Sequence, residues 1–138
     1  MKMRYVMDAC ALISFLRNED GAKRVSDILK DATDGTAKIL INSINLLEVY
    51  YDIYRGVGKA KANEELAMIR RLPVIIRARI SDEVFEEAGR LKAFYKISLA
   101  DSIALAEASV SGGALMTCDH HEFDVVEKKE NIRFEWIR

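Results

Sequence analysis

The sequence is poor in residues that break or cross-link a chain. It has 138 residues, with one proline, seven glycines and two cysteines. A single proline and the lack of any low-complexity tract exclude a long disordered arm. Two cysteines cannot build a disulfide framework, so a reducing cytoplasm is the expected setting. Long apolar runs are also missing. The longest, Ala9 to Ile13, is five residues, far too short to cross a bilayer. Met1-Lys2-Met3-Arg4 makes a basic start, but Asp8 interrupts any apolar core behind it, so no signal peptide is expected. Neither sign of charge dominates. There are 21 Lys and Arg against 22 Asp and Glu, a net charge of -1, which argues against an undifferentiated nucleic-acid binder. That argument weakens if several acids are gathered in one pocket, because the rest of the chain is then net positive.

What is present is an ordinary globular balance: half the residues are hydrophobic and 31% are charged. The length suits one domain over residues 1–138. Met3–Met7 and Ile39–Ile41 read as buried strands, as do Val74–Ile76, Ala114–Met116 and Ile132–Trp136. Helical spacing marks Ala9–Leu16, a segment from Ala22 to Leu29, Asn45–Tyr54 and Lys59–Leu72. It also marks a helix capped by Ser81, with Val84, Ala88, Leu91 and Phe94 or Tyr95 inward, and an alanine-rich helix after Ser98. Strands alternate with helices, which implies a three-layer α/β/α sandwich around a parallel sheet of four to five strands.

In such sheets ligands bind beyond the C-terminal ends of the strands. Asp8 follows the first strand, Ser43, Asn45 and Glu48 follow the second, with Glu48 in the first turn of its helix, and Thr117 and Asp119 follow the fourth. Asp101 lies in the first turn of the alanine-rich helix. Each acid also has a plainer reading. Asn45-Leu46-Leu47-Glu48 and Ser98-Leu99-Ala100-Asp101 both fit capping boxes, and Asp119 fits a turn. Asp8 is harder to explain away, because a charge within the apolar stretch Tyr5 to Ile13 is costly unless paired or bound to metal. Clustered carboxylates repel one another, and a divalent cation relieves that repulsion. Hard oxygen ligands suit Mg²⁺ or Mn²⁺, and such ions activate water for phosphodiester hydrolysis.

Four blocks in order resemble the PIN-domain ribonucleases, most closely the VapC-like toxins of prokaryotic toxin–antitoxin pairs. Val6 to Ile13 looks like the family's first strand, first acid and following helix. Ile44-Asn45-Leu46-Leu47-Glu48-Val49 looks like its second-acid helix. Ser98 to Ala106 is similar to its third-acid helix, and Ala114 to Phe123 to its fourth block, an apolar strand followed by Thr-x-Asp. The likeness implies a Mg²⁺- or Mn²⁺-dependent endoribonuclease. Asp8, Glu48, Asp101 and Asp119 would hold metal directly or through water. Thr117 would orient the site, helped by Ser43, and an ion-activated water would attack an RNA phosphate in line. It also implies a homodimer and a small antitoxin partner. An RNA-processing nuclease without antitoxin is the alternative within the family.

Other patterns carry less. Asp119-His120-His121 spells a phosphoesterase motif, but an upstream Asp-x-Asp is absent. Gly56-Val57-Gly58-Lys59 follows a helix rather than a strand and lacks a phosphate loop's spacing. Cys10 and Cys118 fit small buried hydrophobes better than a soft-metal site. Tyr51 and Tyr54 are open as RNA-stacking residues, whereas Tyr50 fits a core. Arg70, Arg71, Arg77 and Arg79 are candidates for phosphate contacts on an otherwise solvated face. A receiver-like signalling module needs paired acids at the first strand and a lysine after the last, and neither is found.

Overall fold

The computed structural model describes residues 2–138, so the expected domain's first residue, Met1, lies outside them. The order of elements is β1 (Met3–Met7), α1 (Ala9–Leu16), α2 (Ala22–Thr33), β2 (Ala37–Asn42), α3 (Ser43–Val57) and α4 (Lys59–Ile69). It continues with β3 (Ile75–Arg77), α5 (Asp82–Phe94), α6 (Leu99–Ser111), β4 (Ala114–Thr117), α7 (His120–Lys129) and β5 (Arg133–Trp136). The five strands form one sheet in the order β3-β2-β1-β4-β5, and every pairing is parallel. The chain runs outward from β1 through β2 to β3. It then returns to the other side of β1 for β4 and β5. That reversal creates a crevice at the C-terminal ends of β1 and β4.

Alternation along the strands divides the core into two layers. Tyr5, Met7, Ile39, Ile41 and Met116 face one way, against Leu12, Val25, Ile28, Leu46, Val49 and Ile69 of the first four helices. Val6, Leu40 and Leu115 face the other way, against Val84, Leu91, Leu105, Phe123 and Val126 of α5, α6 and α7. This is the expected three-layer sandwich. Both faces of the central strands are dry, which explains why they read as short apolar runs instead of alternating ones.

One local expectation changes, one element is added and one open choice is settled. The helix expected from Asn45 begins at Ser43, because Asn42 is the N-cap and its side chain accepts from the Ile44 N–H at 2.9 Å. Glu48 therefore stands in the second turn, and the capping-box reading of Asn45 and Glu48 falls. Helix α7 carries no helical signal strong enough to be read from the sequence, since Phe123 and Val126 are its only buried residues. Of Phe94 and Tyr95, Tyr95 packs against the core while Phe94 is 75% exposed.

Candidate active site

Register brings the acids together. Met7 of β1 pairs with Met116 of β4, and the Asp8 N–H donates to the Met116 carbonyl at 3.3 Å. Asp8 and Asp119 therefore leave neighbouring strands at the same sheet edge. Both serve as N-caps. Asp8 accepts from the Ala11 N–H at 2.9 Å, and Asp119 accepts from the Glu122 N–H at 3.2 Å. Thr117 is fully buried, and its hydroxyl oxygen accepts from the Asp119 N–H at 3.1 Å. Asp101 enters from α6. There the Ser98 hydroxyl accepts from the Asp101 N–H at 3.1 Å, so the capping reading of that pair holds beside any further role.

Capping alone does not account for the electrostatics. Asp8 is only 2% exposed. Burial pushes its carboxyl up to about 7, against hydrogen bonds from Thr117 and Ala11 that hold it down, and Asp101 and Asp119 push it further. Burial likewise raises Asp101 to about 7, with Asp119, Glu48 and Glu122 adding repulsion. Glu48 is raised by burial and by Asp119, while Asn45 opposes the rise. All four acids anticipated from sequence thus belong to one repelling group. Among the described residues none of them, nor Glu122, has a lysine or arginine partner; the pairs formed lie elsewhere, as with Arg17–Asp52, Arg24–Glu135 and Arg90–Glu130.

The tightest grouping is Asp101, Asp119 and Glu122, each offering an oxygen within 4.8 Å of the others. Asp8 and Glu48 flank this trio. Glu122 was not among the acids singled out by sequence. Its signal is its place three residues after Asp119, which the unrecognised α7 turns inward. Asn45, expected after the second strand and as a cap, does not cap α3 but supports the site. It is fully buried, and its amide donates to the Ala100 carbonyl at 3.0 Å. Its own side-chain oxygen is buried without a hydrogen-bond partner. Ser43 points elsewhere, its hydroxyl donating to the Ala78 carbonyl at 3.4 Å.

The cysteines require a correction. Cys10 and Cys118 are joined as a disulfide, with Cα atoms 6.0 Å apart. They are neither separate space-fillers nor a metal pair. The bond ties the first turn of α1, two residues after Asp8, to the residue before Asp119. The cysteine count therefore no longer argues for a reducing compartment. His120 is also accounted for structurally. It stacks on Trp136 with ring centroids 3.8 Å apart, and its ring nitrogens meet Asp124 and the Arg138 carbonyl. Tyr50 hydrogen-bonds to Asn63 at 2.6 Å, whereas Tyr51 and Tyr54 are about half exposed.

Fold and site together define a parallel α/β sandwich with a carboxylate-lined crevice at its switch point. The sequence matches the PIN domain family over residues 5–129, and the chain belongs to that family. The signalling-module reading falls with that match. Among solved structures, the chain is similar to one of DNA-bound VapBC from Salmonella typhimurium. The TM-score is 0.74 at 16% identity, over 99% of both chains. It is similar to VapBC2 from Rickettsia felis bound to a promoter DNA fragment, with a TM-score of 0.72, 17% identity and coverage of 96% of this chain and 98% of that one. It is also similar to Mycobacterium tuberculosis VapC20, described as a sarcin-ricin loop cleaving toxin. There the TM-score is 0.65 at 14% identity, over 94% of this chain and 98% of that one. At these identities the likeness is one of fold. No curated protein matches the sequence. No helix among the described residues is long and apolar enough to cross a membrane.

Proposed function

We propose that this protein is a divalent-ion-dependent endoribonuclease and the toxin of a VapC-like toxin–antitoxin pair, with residues 1–138 forming one PIN-like domain. The observation that carries this reading is the convergence of Asp8, Glu48, Asp101, Asp119 and Glu122 at one sheet edge without a cationic side chain among them. A site made only of hard oxygen donors fits Mg²⁺ or Mn²⁺ and not a soft metal. The unpartnered buried oxygen of Asn45 fits a site that also holds water.

Asp101, Asp119 and Glu122 would hold the ion, with Asp8 and Glu48 binding directly or through water. When bound, the ion supplies an activated water and charge neutralisation at the phosphate. The protein supplies the positioning. Thr117 fixes the backbone entering Asp119 and steadies Asp8 by hydrogen bonding. Asn45 ties α3 to α6 and thereby sets Glu48 against Asp101. Burial and mutual repulsion raise Asp8 and Asp101, so these carboxyls would release protons when a divalent cation is bound. An attacking water makes a covalent protein intermediate unnecessary.

RNA as the substrate rests on the PIN membership and on the VapC20 likeness. The antitoxin partner rests on the resemblance to VapBC complexes. A homodimer and a cytoplasmic setting, where RNA targets are found, complete the proposal. The purified protein should cut RNA in Mn²⁺ or Mg²⁺ and stop when the ion is chelated. Its expression should arrest growth of a host, and a small protein encoded beside it should restore growth. Ion-dependent cleavage with harmless expression would favour a processing nuclease. No cleavage in either ion would sink the enzyme reading.

A further inference from the structure

A groove of about 850 Å³ lies apart from the acid crevice and is bordered by Arg4, Lys38, Arg77 and Arg79, with Asp82 the one carboxylate in its lining. Its origin is a gap in the helix layer. Helix α6 packs over β1, β2 and β4, leaving the same face of the edge strand β3 uncovered. Arg4 and Lys38 share the parity of Val6 and Leu40, so they point to that face. They also stand directly opposite each other in the parallel register. Two cations set side by side on one face repel, which costs stability unless an anion comes between them. A second hollow of about 580 Å³ adjoins at Arg4 and Lys38, adds Lys2 and Arg133, and has no carboxylate in its lining.

Little within the chain neutralises this strip. Arg77 lies 3.9 Å from the buried Glu107. Arg4 and Arg133 donate to the carbonyls of Ser111 and Gly112, which fixes their direction without cancelling their charge. Lys38 and Arg79 have no carboxylate within 4.0 Å among the ion pairs of the described residues. A chain of net charge -1 has thus gathered Arg4, Lys38, Arg77 and Arg79 around one groove with a single lining acid, and Lys2 and Arg133 around the hollow beside it. The strip also leads toward the acids. The Ser43 hydroxyl and the Asn42 amide bond to the carbonyls of Ala78 and Arg79, tying its far end to the start of α3, the helix of Glu48.

We infer that this strip is a phosphate-backbone binding track, on which an RNA engaged at the acid crevice continues across the β1-β2-β3 face. The inference rests on the nuclease reading for the identity of the polyanion. Spaced point charges along an open groove suit a regularly spaced polyanion. The tie of its Arg79 end to the start of α3, the helix that carries Glu48, favours the substrate RNA over an acidic protein segment.

The test uses the full chain in an Asp8→Asn background, so that RNA is bound without being cut, and a long structured transcript as the probe. Replacing Lys38 and Arg79 together by Ala should weaken binding about ten- to a hundredfold at low salt and reduce the slope of log Kd against log salt by about two. The charge-keeping pair Lys38→Arg with Arg79→Lys should retain the slope, which separates charge from folding. An unchanged slope in the Ala pair overturns the inference, as does polyglutamate competing as well as the transcript. If the unsubstituted protein cuts RNA but the slope does not move, the track fails and the nuclease reading stands. If nothing is cut but the slope falls as expected, the track stands and the nuclease reading fails.

Discussion

Asp8→Asn should lower ion-dependent RNA cleavage by at least about a hundredfold, the scale of losing one preorganised electrostatic group from a reaction centre. The substitution isolates charge from structure. Asparagine is as good an N-cap as aspartate, and its side-chain oxygen can still accept from the Ala11 N–H. The fold should therefore persist, checked by circular dichroism and the melting curve. The same variant reports on proton linkage. In the ion-free protein the Asp8 carboxyl sits near 7, whereas its ordinary value is 3.8. Between those values the folded state holds a proton that the unfolded state has lost. Stability must then fall as pH rises from about 4 to 7, and level off above. Asp8→Asn removes this contribution and leaves that of Asp101, so its stability should decline less between pH 5 and pH 8. Equal cleavage by variant and wild type would remove Asp8 from the site. An identical pH dependence would mean that Asp8 is ionised throughout.

The second large effect concerns the disulfide. Cys10 and Cys118 are separated by 108 residues, so the bond closes most of the chain into a loop. On the chain-entropy account, a loop of this length is worth about 4–5 kcal/mol through restriction of the unfolded state. Reduction should then lower the melting temperature on the order of 10 °C or more. The paired variant Cys10→Ser with Cys118→Ser should melt at the lower temperature and ignore reductant. A wild-type melting curve indifferent to reductant would show that the two sulfurs are not linked in solution. The location gives the bond local weight too. It braces the start of α1 against the β4–α7 loop, the two segments from which Asp8 and Asp119 cap their helices.

The layered fold could be read from the sequence because its signals are local. Strands buried on both faces appear as short apolar runs, and amphipathic helices show their period. Asp8 stood out for a similar reason, as a charge where the neighbours demand burial. Glu48 and Asp101 were visible as acids near strand ends and through the PIN-like blocks that hold them, while the plainer capping role stayed open for Glu48 until α3 proved to start at Ser43. Glu122 stayed hidden because it depends on α7, whose narrow buried stripe of Phe123 and Val126 gives little periodicity. The disulfide was legible only through the expected meeting of Asp8 and Asp119, beside which Cys10 and Cys118 stand. The spacing of two cysteines alone does not say that β1 and β4 are neighbours, and it is that adjacency that sets residues 10 and 118 together. The basic track was half visible as Arg77 and Arg79. Arg4 and Lys38 join it only through the register of β1 with β2.

The proposed enzyme depends on five carboxylates sharing a divalent ion. Anomalous diffraction from crystals of the protein grown with Mn²⁺ measures this directly. A manganese peak is expected bounded by Asp101, Asp119 and Glu122, with Asp8 and Glu48 beside it, and no such peak in Asp101→Asn. A wild-type crystal with no peak among these acids, or with manganese bound only elsewhere on the surface, would contradict it.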